Sequence, residues 1–348
     1  MRPETETRWS PRLGIVSPEG VFGNKREAYV WTWLRTQGDV FALLDSPRTT
    51  FQPGTDTKTN VLFFRKHATD PSTATTNAVK IAVALHCGHD RRGRTLLGNG
   101  RPHPDSFATL AETFADGSGT GPWRTVRLKV GGYMVPRYYA EEKPVTVQEA
   151  DLTRDAVTVS LKGLVADGVL AIRKGHEVGS DSYGTGDIPF VRTSDLANFE
   201  ISVDPTKSVS EEVYSQYASQ QMLKAGDLLM VVDGRYRIGT TAVLTPLNSK
   251  CVVQSHLRVI SIVKPNRLDP YELLFALNLP SVRLRIRDLV FVQSTLGTLG
   301  KRLLELRIPL LHGEGPWKER VHQFRRTLQE RDRLLRELKV TAGCDYEL

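Results

Sequence analysis

The sequence predicts an α/β N-terminal region, then an α+β domain, then a long C-terminal helix. Strand, helix and strand patterns alternate between Leu13 and Phe64, which is an α/β signature. Between residues 151 and 312, short β-branched apolar runs alternate with turn clusters and a few helical stretches, the mixture expected of an α+β domain. From Pro316 onward, apolar residues recur at three-four spacing against a charged background, the pattern of one coiled-coil-like helix over 316–340.

Bulk numbers bound the function. A chain of 348 residues suffices for two or three domains. The net charge is +8, from 47 basic and 39 acidic residues, which permits a polyanionic partner without demonstrating one. Cys87, Cys251 and Cys344 are too few and too scattered for a disulfide framework or a metal cluster. No apolar run reaches the length of a membrane span and no signal peptide is visible, so the expectation is a cytoplasmic protein without a membrane partner.

In order along the chain, Met1 to Arg12 reads as a frayed polar end. Leu13–Ser17 is a strand turned by Pro18-Glu19-Gly20. Lys25–Thr36 is an amphipathic helix, and Val40–Asp45 and Val61–Phe64 are strands. Ala68–Asn77 is Thr/Ser-rich loop, Val79–Leu85 a strand and Pro104–Phe114 a short helix. His86, Cys87, His89 and Asp90 lack paired metal-ligand spacing and read as a polar loop. Ser17, Asp45 and His86 have generic spacing and no nucleophile turn, so no catalytic residue is assigned. Residues 115–121 are Gly/Ser/Asp-rich and close a first domain over 12–120, with a connecting segment over 121–150. Within that segment Val126–Val130 is a strand, and Pro136-Arg137-Tyr138-Tyr139 is a basic-aromatic cluster able to stack, touch phosphate or pack.

The α+β domain, 151–312, holds the candidate site. Val157–Leu161, Val169–Arg173 and Ile188–Val191 are strands, Val213–Met222 a helix, and Leu228–Val232 and Ile238–Val243 a strand pair. The pair presents Arg235, Tyr236 and Arg237 in a Gly-flanked loop, suited to a polyanion or simply solvated. Arg192 ends a strand and either reaches a groove or pairs with Asp195. Cys251–Val259 reads as one strand with Gln254 and His256 on one face; Gln can read adenine in a major groove, and both side chains also suit a structural role. Tyr183 lies in a polar loop. Asp269–Asn278 and Ser281–Asp288 are helices, the latter with Arg283, Arg285 and Arg287 as a basic stripe. Ser294–Gly300, with Thr298, followed by Lys301, is a loop whose backbone amides and lysine can hold phosphate.

Several of these segments carry a resemblance. Gly179-Ser180, Ile188–Leu196, Leu223–Val243, Val252–Ile260, Gln293–Gly297 with Leu306–Leu310, and the charged helix after them stand in the order found in the target-recognition domain of type I restriction-modification specificity subunits. Gly14–Val21, Ser46–Thr55 and Lys58–Phe64 resemble the C-terminal part of a type I adenine-N6 DNA methyltransferase, and His89–Arg94 resembles a loop following its core.

The resemblance implies a partial Rossmann-like methyltransferase remnant joined to one target-recognition domain where the specificity subunit has two. Double-stranded DNA and a methyltransferase catalytic half or subunit are the implied partners. The family holds S-adenosylmethionine in a Gly-rich loop and the adenine in an Asn/Asp-Pro-Pro-Tyr/Phe motif. Neither is found, and the sequence has no Pro-Pro pair. The expectation is therefore a chain that selects a DNA sequence for adenine-N6 methylation, binds no cofactor itself and lacks the chemistry. An assembly module without DNA contacts, or an intact methyltransferase or nuclease, is the alternative. Such a half-sheet must rebuild locally or pair with another chain. The helical seam of Trp317, Val321, Phe324, Leu328, Leu335 and Leu338 is open to the body of the same chain, to a second copy as a homodimer, or to a partner subunit.

Overall fold

The computed structural model describes residues 12–66, 78–114, 121–128, 131–141, 143–293, 296–311, 313 and 315–342. Most of the expected frayed start (1–11), the whole Thr/Ser-rich loop (68–77), most of the Gly/Ser/Asp boundary (115–120), the end of the Val126–Val130 strand (129–130) and Ser294-Thr295 lie outside those residues. The chain forms two compact units. One comprises Met1–Glu141 with Phe291–Gly297, the other Glu142–Val290 with Thr298–Leu348.

The first unit is built on five strands, β1 (Arg12–Pro18), β2 (Gly38–Asp45), β3 (Thr59–Lys66), β4 (Ala78–Val83) and β5 (Arg124–Arg127), in the order β1-β3-β2-β4-β5. Only β2 and β4 run parallel; the other neighbours are antiparallel, whereas a doubly wound sheet is mostly parallel. Alternation along β2 feeds two cores. Val40 and Leu43 meet Phe22, Trp31, Phe64 and Phe291 on one face, while Ala42 and Leu44 meet Leu110 and Trp123 on the other. Both faces are therefore covered within the unit, and β1 remains a sheet edge with Leu13 and Val16 half exposed.

Two sequence expectations change here. Glu19-Gly20 is the start of a short helix, α1 (Glu19–Gly23), rather than a turn, and the expected Lys25–Thr36 helix is a 3-10 turn followed by α2 (Ala28–Gln37). The cause is Glu19. Its wholly buried carboxylate takes both arms of Arg137 and the Val292 amide, the latter at 2.6 Å. Arg137 also donates to Asp45 at 2.7 Å, and Asp45 accepts from Lys58. The Pro136–Tyr139 cluster is thus a buried 3-10 turn with its cation spent on carboxylates, not a surface for phosphate. Burial alone would raise the Asp45 carboxyl, but the Lys58 and Arg137 charges outweigh it and hold it below the carboxylate range.

The second unit centres on an antiparallel sheet ordered Thr241–Val243, Leu228–Val231, Leu257–Ile262, Leu170–Lys174. Leu228–Val231 is sealed on both faces by core, which explains its continuous apolar run. Val252–Val253 pairs in parallel with Phe190–Val191, and Arg307–Leu310 pairs with Val157–Ser160. The expected single strand Cys251–Val259 is therefore two strands belonging to different sheets, broken by a turn at Gln254–His256. Arg283, Arg285 and Arg287 do not form one stripe: their helix, Pro280–Leu289, turns about 100° per residue, so Arg283 and Arg287, four apart, share a face and Arg285 faces away from both.

The C-terminal helix, Pro316–Thr341, packs its first half on its own unit. Trp317 is 1% exposed and donates to Glu272 at 2.8 Å, Phe324 meets Phe199 and Phe275, and Val321 and Leu328 are buried. Leu335 and Leu338, 41% and 63% exposed, lie beyond the end of that contact.

Candidate nucleic-acid interface

Four sequence-distant segments of the second unit are tied into one surface by backbone and side-chain bonds. The Val232 amide donates to the His256 carbonyl at 3.0 Å, and the Val232 carbonyl accepts from the Leu299 amide at 2.9 Å. The loop 233–237 is thereby flanked by the turn 254–256 and by the segment 298–301. Thr298 donates to Asp233 across the second junction. Arg237 donates to the carbonyls of Ser194 and Leu196 at 2.7 and 3.1 Å, which joins the segment after Arg192. Gln254 completes the ring by accepting from the Thr193 amide at 3.3 Å.

The residues differ in exposure and in the partners that fix them. Arg192 is half-buried between Asp195 at 3.3 Å and Asp204 at 3.2 Å. Arg237 has φ +66, a conformation costly for a side-chain-bearing residue, and its guanidinium stands on two carbonyls. Gln254 and Thr298 are likewise engaged. These four build the surface. Arg235 and Tyr236 form its exposed tip, with the Arg235 guanidinium 5.6 Å from the Tyr236 ring centroid and Tyr236 61% exposed. His256 is half-buried beside them and Lys301 is exposed. Tyr183 falls outside the ring: it packs on Phe190 with Lys207 over its face.

Three residues that the sequence did not single out as site residues position this surface, although Arg283 stood in the expected basic stripe. Arg258 donates to the Ser255 and Leu257 carbonyls at 3.1 and 3.0 Å and approaches Asp233 to 4.0 Å. Burial pulls its guanidinium below the ordinary value, and the Asp233 charge opposes that. Arg283 donates to the Gly239 carbonyl and so holds the descending side of the loop. Gln221, 1% exposed, accepts from the Val253 amide at 2.9 Å and donates to the Val253 carbonyl at 3.1 Å and to His176 Nδ1 at 2.9 Å. Its side chain acts as an extra strand residue immediately before the turn 254–256. Of these, only the glutamine lacked any sequence signal, because a Gln at a helix end normally faces water.

No family model matches the sequence, and no curated protein does. Among solved structures, the S subunit of a type I restriction-modification system from M. genitalium has 15% identity and a TM-score of 0.36, over 53% of this chain and 41% of that one. The HsdS subunit from Thermoanaerobacter tengcongensis has 19% identity and a TM-score of 0.31, over 55% and 40%. The type IIG restriction endonuclease BpuSI has 9% identity and a TM-score of 0.40, over 90% and 42%. The chain thus spans about two-fifths of the length of each structure. These scores describe a partial likeness in shape and lend no weight to a function. Among the described residues, no helix is long and apolar enough to cross a membrane.

Proposed function

We propose that the second unit is a target-recognition domain that reads a DNA sequence for a restriction-modification system, and that the methyl transfer it directs belongs to another subunit or catalytic half. The observation that carries the reading is the convergence of the segments at 192–196, 233–237, 254–256 and 298–301 around an exposed Arg-Tyr tip. Arg235 is the base reader, since an arginine fork can take guanine O6 and N7 together. His256 is a second reader, Tyr236 meets sugar or base edge, and Lys301 neutralises phosphate. Arg192, Arg237 and Gln254 act by holding these groups in place.

The Pro18–Glu19 strand-to-helix turn is filled by the Glu19 carboxylate and its bonds to Arg137 and Val292, which supports the view that S-adenosylmethionine is not held at that turn. Selection from a randomised duplex pool tests the reading. The wild-type chain enriches one motif, Arg235→Ala flattens it, and Lys301→Ala weakens every duplex alike by reducing the salt slope about 1. A folded wild-type chain that enriches nothing, alone and with a complementing methyltransferase subunit, refutes it.

A further inference from the structure

Residues 86–106 of the first unit form an arm that neither its sheet nor its cores use. Its root is an antiparallel bridge of Cys87 with Asp105, closed by Gly88–Pro104 and Ser106–His86 backbone bonds, and it is pinned to the body by Thr49 on Cys87 at 3.1 Å and His89 on the Thr50 carbonyl at 3.3 Å. Beyond the root the chain makes two tight turns. The first, 90–94, is knitted by Asp90, which accepts from the amides of Arg92 and Arg94 at 2.8 and 3.0 Å and from the Arg94 guanidinium. Those amide and side-chain bonds from Arg94 and Arg92 draw the Asp90 carboxyl down to about 2, so it stays ionised and the turn stays closed. The second, 97–101, is closed by the Leu97 amide on the Arg101 carbonyl at 2.7 Å and the Gly100 amide on the Leu97 carbonyl at 2.9 Å, with His103 donating to Thr95 and Leu96 bridging Pro102 in antiparallel.

The arm's chemistry is one-sided. Every residue from Arg91 to Pro102 is exposed. Four arginines and no lysine lie in 86–106; Arg94 serves Asp90, while Arg91, Arg92 and Arg101 reach no acceptor among the described residues. Leu96 and Leu97, 57% and 39% exposed, sit between the two arginine turns. Gly98 meets nothing within 4 Å where a Cβ would stand and has no left-handed φ, so the fold itself does not require glycine there. A glycine that neither packing nor backbone demands suits close approach of another molecule's backbone.

We infer that this arm is a second duplex-DNA contact, separate from the target-recognition surface, that lays a two-stranded ribbon in the major groove and neutralises phosphates on both sides with Arg91, Arg92 and Arg101. Guanidinium forks match phosphate oxygens bidentately. A groove about 12 Å wide admits a two-stranded ribbon; the deep, narrow major groove of duplex RNA does not. Single strands are bound on stacked aromatics, and the arm has no Phe, Tyr or Trp. The leucines then lie against sugars or thymine methyls, and the contact adds affinity without sequence preference.

The test uses the full chain and the variant Arg91→Gln/Arg92→Gln/Arg101→Gln, whose changed side chains are all exposed and leave the melting temperature unchanged. Binding of a mixed-sequence duplex is measured against salt. Losing three phosphate contacts reduces the magnitude of the log Kd against log salt slope by about 2 to 3 and weakens binding roughly 10-fold or more at low salt. The motif enriched by selection stays that of the wild type, whereas Arg235→Ala loses the motif and keeps the slope. A triple variant with the wild-type slope, a wild-type chain that does not bind duplex DNA, or a polyglutamate, single-stranded DNA or duplex RNA probe bound more tightly through the same arginines overturns the arm's role. Loss of slope in the triple variant without any enriched motif in the wild type instead retains the arm and refutes target recognition.

Discussion

Replacing Gln221 by Leu tests whether one buried amide holds the turn that carries Gln254 and His256. In the wild type the Gln221 side chain satisfies both polar groups of Val253, a residue with no exposed surface. Leucine has similar volume and no hydrogen-bonding capacity, so the buried Val253 N–H loses its partner, while the Val253 C=O keeps the His176 amide at 2.8 Å. The orphaned N–H costs about 1–3 kcal/mol, and the Val253 C=O and His176 Nδ1 each lose one bond as well. Extra apolar burial returns about 1 kcal/mol. The net loss is about 2 kcal/mol, which lowers the melting temperature of a unit of this size by roughly 4–8 °C. Calorimetry reads that transition, and Gln221→Glu is the companion variant: it keeps an acceptor for the Val253 amide but has no donor for the carbonyl when ionised. Both variants should also blunt sequence selection more than Lys301→Ala does, because the turn 254–256 loses its anchor. A melting shift below about 2 °C for Gln221→Leu would show that the strand pairing at Val253 stands without the glutamine, and the reasoning would fail.

Arg137→Met strands the buried Glu19 carboxylate and should cost the first unit about 3–5 kcal/mol, read as a lower urea midpoint; an unchanged midpoint would mean that Glu19 finds another partner. Because the folded-state Asp45 carboxyl lies below its unfolded value, its stabilising share is complete above about pH 4 and is lost as pH falls through the folded value. Asp45→Asn should therefore flatten the acid limb of a stability-pH curve while leaving its slope near neutrality unchanged. Leu328→Asp places a charge in the buried part of the helix seam and should cost about 4 kcal/mol, whereas Leu335→Asp, at an exposed position, should stay within about 0.5 kcal/mol; equal effects would contradict the packing described. Gly239→Ala puts a Cβ 2.8 Å from Ile286 at φ +86 and should lose roughly 1–3 kcal/mol, with the loop that carries Arg235 displaced in amide-exchange measurements.

Much of the architecture was legible because hydrophobic period and turn chemistry are local. The strands at Val40–Asp45, Val61–Phe64 and Leu228–Val232 and the C-terminal helix fall within a few residues of their observed bounds. What escaped depends on partners far along the chain. The break at Gln254–His256 follows from Val253 joining Phe190–Val191 and Gln221 while Leu257 joins a different sheet; nothing in the run CVVQSHLRV marks that change. For Arg137 the sequence left stacking, phosphate contact and packing open, because its partner Glu19 lies 118 positions away. At the candidate site the sequence named the segments, because basic and aromatic residues between Gly and Asp are visible as such. How each arginine is held is a three-dimensional property: Arg192 and Arg237 are used by carboxylates and carbonyls that lie between 3 and 43 residues away.

The return of Phe291–Gly297 to the first unit has a consequence for how this protein can be cut, moved or made. The second unit is not a continuous length of chain, because the first unit's core claims Phe291 and Glu19 claims the amide of Val292, 273 positions downstream. A ribosome must carry synthesis past residue 292 before the first unit can close, so early emergence gives that unit little head start over the second. A graft that exchanges residues 142–290 for another sequence reader must rejoin two ends, not one, and must spare the seven residues at 291–297 that serve the unit left behind. A single proteolytic nick within 142–290 would leave that seven-residue plug in place and attached to the C-terminal fragment. The two fragments would then co-purify until denaturant is added, a persistence that a simple string of two domains would not show.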